Sequence, residues 1–186
     1  MIKVSQSIAI FGGSFDPPHL GHQAIVKQAT LMLDIDKLII IPAFLNPFKT
    51  SSLATPEQRL QWTRKIFSNF PNVMVDDYEI RQGNATPTAK TVRHFQQDYD
   101  VRYLIIGADN LADITKWYEF EWLNHTITWV IATRKGYAVQ TEALRAFIVL
   151  EIDEDISSTR IRSGAEINPI DSTIQSDVIE LLTNQN

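Results

Sequence analysis

Six short runs along the chain are apolar and rich in β-branched residues: 7–11 (SIAIF), 37–41 (KLIII), 73–79 (VMVDDYE), 102–106 (RYLII), 127–133 (ITWVIAT) and 147–152 (FIVLEI). Each predicts a strand. Between most of them the apolar positions recur at helical spacing, and two helix starts stand out. Thr55 precedes Pro56 and Thr86 precedes Pro87, each pair reading as a Thr cap with Pro at the first helical position. Strands this continuously apolar leave no face for water, so the alternation predicts an α/β fold: a parallel sheet covered by helices on both sides. In such sheets ligands sit beyond the carboxyl ends of the strands, at helix N-termini. No internal repeat or Gly/Ser linker interrupts the 186 residues. They are read as one domain, 1–186, whose tail, 164–186, ends in a helix within DSTIQSDVIELL.

Composition narrows the partners. Seventeen basic against 22 acidic residues give a net charge of −5, with no long Lys/Arg run to follow a phosphate backbone. A nucleic-acid polymer is therefore not expected, and any bound phosphate belongs to a small molecule held by a few local groups. The absence of cysteine excludes disulfides, thiolate metal sites and cysteine catalysis. The start, MIKVSQSIAIFGG, lacks a secretory h-region and cleavage site, and no apolar run is long enough to span a bilayer. A soluble, cytoplasmic protein with no membrane partner is the expectation; oligomeric state is not legible.

The densest chemistry lies in GGSFDPPHLGH, residues 12–22. The first strand runs into Gly12 and Gly13, where the backbone can approach a ligand without a Cβ in the way. Pro17, followed by another proline, is pushed out of the helical region, so the next helix is expected to begin at Pro18. His19, Leu20, Gly21 and His22 would fill its first turn, where unpaired N–H groups and the helix dipole attract anions. Two imidazoles three apart can donate to one group. A capped surface helix that carries two histidines by chance is the competing reading of the spacing alone. A protein-held metal is not expected, since His94 and His125 are isolated and no further ligands cluster.

A second stretch, DEDISSTRIRSG (153–164), follows the last strand. Ser157, Ser158 and Thr159 are good N-caps for a short helix beginning near Thr159. Arg160 and Arg162 would then lie in its first turn, facing the wrong end of the dipole unless an anion binds or upstream carboxylates (Glu151, Asp153, Glu154, Asp155) compensate. Either reading fits the signs of the charges.

The HxGH core of the first motif and ISSTRIR in the second, in this order at the two ends of an α/β chain, resemble the signatures of the nucleotidyltransferase superfamily. Within it the chain is most similar to the bacterial nicotinate mononucleotide adenylyltransferase family. IIGADNLADITKWYEFEWL (105–123) resembles that family's GxDxL segment and Trp-Tyr pair, ATPTAKTV (85–92) its SYTxxTL helix start, and ATRKG (132–136) its Arg-containing strand end. The resemblance implies a Rossmann-like doubly wound parallel sheet. It implies transfer of AMP from ATP to nicotinate mononucleotide, giving nicotinate adenine dinucleotide and pyrophosphate in NAD biosynthesis, with Mg²⁺ carried on the nucleotide. His19, His22 and Arg162 would be catalytic. Gly12, Gly13, Ser14, Phe15, Lys49, Gly107, Asp109, Ser158 and Thr159 would bind ATP. Thr88, Trp117, Tyr118 and Arg134 would bind the mononucleotide, Trp117 stacking on the pyridine ring while amides at Thr88 and Tyr118 meet its carboxylate. A helix start favours that anion over a carboxamide.

Three positions depart from the family pattern. Phe48 stands where a His is usual, Pro87 replaces an aromatic beside the base pocket, and Lys135 replaces a proline. Two rivals share part of the pattern. A pantetheine phosphate adenylyltransferase has similar phosphate-binding ends but not the KWY segment. A silent ATP-sensing module would not need His19, His22 and Arg162 together, because affinity alone requires no stabilisation of transition-state charge.

Overall fold

The computed structural model describes residues 5–45, 52–153 and 156–184. Six strands form one sheet: β1 (Ser7–Gly13), β2 (Lys37–Pro42), β3 (Val73–Val75), β4 (Asp100–Gly107), β5 (Thr128–Ala132) and β6 (Phe147–Leu150). Their order is β3-β2-β1-β4-β5-β6 and every pairing is parallel, which is the doubly wound topology with its reversal between β1 and β4.

The period-two alternation of strand side chains divides the interior into two cores. Ala9, Phe11, Leu38, Ile40, Ile105 and Val130 point into one. Ile8, Ile10, Ile39, Ile41, Leu104, Ile106, Trp129 and Ile131 point into the other. Helices α1 (Leu20–Met32) and α2 (Pro56–Phe67) close the first core through Val26, Ala29, Trp62 and Ile66. Helices α4 (Thr88–Phe95) and α5 (Phe120–Thr126), with a 3₁₀ helix over Ala108–Lys116, close the second. Among the described residues no helix is long and apolar enough to cross a membrane.

The Thr55 cap forms as expected, its hydroxyl accepting from Gln58 N at 3.2 Å with Pro56 at the first helical position. Three boundaries differ from expectation. The third strand stops at Val75 rather than continuing to 79, because Asp76 Oδ1 accepts from Tyr78 N at 2.7 Å and turns the chain into α3 (Tyr78–Gln82). Pro87, not Thr86, is the N-cap of α4; having no side-chain acceptor, it leaves the first amides of that helix without a side-chain cap. The first helix begins at Leu20 rather than Pro18, with His19 extended at the N-cap and its amide held by His22 Nδ1 at 3.1 Å.

The tail folds back on the first core. After α6 (Ser158–Arg162) and Gly164 at φ +73°, Ile170, Ile174 and Val178 are buried against α1 and α2, the last on α7 (Gln175–Asn184). Pro169 O accepts from Leu20 N at 2.9 Å, and Gln23 donates to Asp171 at 2.8 Å. Tail and α1 start are thus joined directly.

Candidate active site

Two cavities lie side by side beyond the carboxyl ends of the strands, one of about 300 Å³ and one of about 330 Å³. The first is lined by His19, His22, Asp109, Arg134, Ser158 and Thr159, among others. The second is walled by Glu79, Thr86, Pro87, Thr88, Trp117 and Tyr118, among others. Gly12, Gly13, Ser14 and Asn110 line both. They form a common floor at the end of β1, beside the topological reversal.

That floor is glycine for two different reasons. A Cβ at Gly12 would meet nothing within 4 Å, so the missing side chain leaves room on the cavity side. A Cβ at Gly13 would lie 3.1 Å from the Phe15 ring. Phe15 itself adopts φ +48°, a left-handed conformation costly for a bulky residue, and buries its ring edge-on to Phe11 with His22 at 4.9 Å.

The two histidine rings lie against each other, centroids 3.8 Å apart and planes tilted by 35°. Because His22 Nδ1 accepts a backbone hydrogen bond, its neutral form carries the proton on Nε2, which is then a donor. His19 is 6% exposed, and its Nδ1 is buried with no hydrogen-bond partner among the described residues. An unmatched polar atom of this kind calls for a ligand. Burial first, then the neighbouring His22 and Arg134, hold the His19 imidazole well below the usual histidine range, so it is neutral at pH 7. Gly21 is needed by His19: a Cβ there would approach the imidazole Nδ1 to 3.0 Å. The close approach that motivates this glycine comes from within the motif.

The short helix α6 starts as its sequence implies, with Ser157 Oγ accepting from Arg160 N at 3.2 Å. The two arginines separate in role. Arg160 pairs with Glu166 at 3.0 Å. Arg162 donates to the Asp16 carbonyl at 2.7 Å and to Thr159 Oγ1 at 3.1 Å; Thr159 lines the first cavity, whereas Arg162 is not among its lining residues. Ser158 Oγ donates to Pro17 O at 3.1 Å, which seats α6 against the histidine loop.

Asp109 accepts from Arg134 Nη1 at 3.1 Å. Its Oδ1 would lie 2.4 Å from a Cβ at Gly107, so a side chain there would displace the carboxylate. Arg134 thereby departs from the expected grouping: it lines the first cavity beside Asp109, not the second with Thr88, Trp117 and Tyr118. Those three do converge. Trp117 is half-buried and edge-on to the fully buried Trp129, whereas Tyr118 is exposed. Trp62 and Trp129 are core residues, whereas Trp122 is partly buried and lies under the Arg93 guanidinium. Lys49 and Phe48 lie outside the described residues.

Residues 10–164 match the family model described as cytidylyltransferase-like. A relative from Sulfurovum sp. (strain NBC37-1), named "Probable nicotinate-nucleotide adenylyltransferase", is 58% identical over 171 residues, covering 92% of this chain and 91% of its own. A relative of the same name from Campylobacter fetus subsp. fetus (strain 82-40) is 43% identical over 182 residues, 97% of this chain and 98% of its own. The chain belongs to the cytidylyltransferase-like family, in its nicotinate-nucleotide adenylyltransferase branch. Its fold matches the Plasmodium falciparum nicotinic acid mononucleotide adenylyltransferase complexed with NaAD, with a TM-score of 0.76 at 21% identity over 97% of this chain and 96% of that one.

Within this adenylyltransferase scaffold three residues at or behind the cavities were not singled out from the sequence. Asn110 lines both cavities and donates to Gly107 O at 3.1 Å. Glu79 lines the second cavity, accepts from Thr91 Oγ1 at 2.7 Å and is pushed up by burial to about 7. Arg59 lies behind the floor, 2% exposed. Only Arg59 left a sequence signal: it shares a helical face with Trp62, Thr63 and Ile66, a charge on an apolar stripe.

Proposed function

We propose that the protein transfers AMP from ATP to nicotinate mononucleotide, releasing pyrophosphate and forming nicotinate adenine dinucleotide. The observation that carries this reading is the pair of cavities with one floor. A transfer between two nucleotides needs a pocket for each and a place where their phosphates meet. The first cavity takes ATP and the second the mononucleotide, so the α-phosphorus and the attacking 5′-phosphate oxygen come together over Gly12, Gly13 and Ser14. The new P–O bond forms as the bond to pyrophosphate breaks.

His19 and His22 donate hydrogen bonds to the phosphate oxygens that gain charge in the transition state, where preorganised donors in a dry site act most strongly. A neutral buried His19 suits that task, since it binds phosphate without the cost of a buried cation in the empty site. Arg162, Ser158 and Thr159 hold the leaving end. Asp109, kept in place by Arg134, receives the adenosine ribose hydroxyls, and Arg134 serves ATP in this scheme. In the second cavity Trp117 stacks on the pyridine ring. The uncapped first amides of α4 at Thr88, with that of Tyr118, meet the carboxylate and so favour the acid over the amide.

Mg²⁺ fits as an ion carried by the nucleotide. Among the described residues no three potential ligands converge on a metal site. Both oxygens of Asp16 accept backbone N–H groups, from Leu53 at 2.8 Å and Ala54 at 3.0 Å. Mg²⁺ is commonly held by substrate phosphates and water, and when bound it neutralises charge on the triphosphate. The deciding experiment supplies ATP and Mg²⁺ with nicotinate mononucleotide, its amide or phosphopantetheine, and measures pyrophosphate release. Preference for nicotinate mononucleotide is the expected result. Preference for phosphopantetheine defeats the pyridine assignment, and no release with any acceptor defeats the enzyme assignment.

A further inference from the structure

Arg59 belongs to α2 yet touches neither cavity wall with its side chain; its guanidinium sits behind the floor. Nη1 donates to Ser14 O at 2.6 Å and Ala43 O at 2.7 Å, and Nη2 donates to Phe44 O at 2.7 Å. Ser14 lines both cavities and Ala43 the second. One side chain therefore ties together the segments leaving β1 and β2 at the level where the two reactants would meet.

The region so tied contains a left-handed non-glycine residue. Phe15, at φ +48°, lies between Ser14, whose carbonyl is held by Arg59, and Asp16, whose carbonyl is held by Arg162. A strained residue persists only where its surroundings over-determine it. The Asp16 carboxylate adds a third restraint by accepting the Leu53 and Ala54 amides. Burying this guanidinium is costly: its hydrogen bonds go to carbonyls, the carboxylates of Asp16 and Glu57 favour its charge only through space, and its Nε has no partner among the described residues. A neutral apolar residue would pack there with less penalty if packing were the only requirement.

We infer that Arg59 is a positioning residue for the transfer, acting through Ser14 and the Phe15 turn to hold the common floor in register for both nucleotides. This rests on the adenylyl-transfer reading above. The groups assigned to grip each nucleotide by itself, Asp109 and Arg134 on one side and Thr88 and Trp117 on the other, are not among the hydrogen-bond partners of Arg59. Its loss disturbs the alignment of the two reactants and leaves each one's own contacts in place.

The test compares wild type with Arg59→Lys, which keeps the charge but not the planar fork that reaches three carbonyls, and with Arg59→Gln, which leaves no charge buried. Circular dichroism and thermal melts establish the temperature at which each variant is folded, and kinetics are measured there. The expected result is a kcat at least 30-fold below wild type, with both KM values within threefold. Affinity for nicotinate adenine dinucleotide, which spans both cavities, falls at least tenfold, while the separate affinities for ATP and nicotinate mononucleotide stay within threefold. A lowered melting temperature with unchanged kcat, or a loss confined to one KM, overturns the positioning role. Inactive wild type with every acceptor defeats the transfer reading instead, and the Arg59 role falls with it.

Discussion

The two cavities differ in how they are built. The first is assembled from loop ends contributed by β1, β4, β5 and α6, and most of its polar groups already hold one another: Asp109 with Arg134, Arg162 with Thr159 and Asp16, His19 N with His22. The second is a notch between α4 and the Trp117–Tyr118 turn, with an uncapped helix start, an aromatic wall and a buried carboxyl group. On the proposed assignment of ATP to the first cavity and the mononucleotide to the second, the contrast matches what each would recognise. A triphosphate is a dense, variable charge best met by many prepositioned donors, whereas a pyridine ring with one small substituent is selected by shape, stacking and one well-placed anion site. In the proposed transfer the phosphates meet where neither cavity is specialised, over the glycines and Ser14.

Substitutions on each side should separate these roles. The largest effect is expected for His19→Ala, a fall in kcat of roughly two to three orders of magnitude with little change in the KM for ATP, because the lost contact strengthens as charge develops. Steady-state kinetics showing only a raised KM would contradict it. Trp117→Ala should raise the KM for the mononucleotide by roughly 30-fold, a stacking loss of about 2 kcal/mol, and leave ATP unaffected. Equal losses for both substrates would erase the division between cavities.

Glu79→Gln probes the buried carboxyl group. The folded-state value is raised to about 7 from an ordinary 4.5. Between those values the folded protein holds a proton that the unfolded chain has released, so this group's contribution to stability falls as pH rises from about 4.5 through 7. Gln still accepts from Thr91 and has nothing to ionise. The variant should be more stable than wild type at pH 8 by order of 2 kcal/mol and match it near pH 4.5; urea melts at both values measure this, and a pH-independent difference would reject the account. The smallest effect is expected for Arg134→Lys, about a fivefold rise in the KM for ATP with that for the mononucleotide unchanged. A rise in the mononucleotide KM instead would return Arg134 to the second cavity.

The fold was legible in the chain because apolar runs and caps are local signals. All six strands lie where the runs are, and Thr55 and Ser157 cap the helices they precede. Misplaced boundaries trace to side chains bonding nearby backbone: Asp76 to Tyr78 N, and His22 to His19 N. Nothing in a periodicity reports these. The histidine loop and the ISSTRIR stretch were legible as motifs, but the close approach at Gly21 was not, since it depends on where the His19 ring folds. Asn110 and Glu79 become site residues only when the 3₁₀ helix and α3 are brought beside β1 and α4, which is long-range packing. The place of Arg134 was not legible for the same reason: it follows a strand that neighbours β4, which brings it beside Asp109.

The hydrogen bond from Leu20 N to Pro169 O joins residues close to opposite ends of the chain. Protein synthesis proceeds from the N-terminus, and the histidine motif leaves the ribosome long before residue 169 exists. A nascent chain can pair β1 with β2 and bury much of the first core, yet the first amide of α1 waits for its partner, and Ser158, Thr159 and Arg162 arrive only slightly earlier. Nucleotide binding is thus among the last properties the growing polypeptide acquires. Fragments released early carry the histidines without the means to use them.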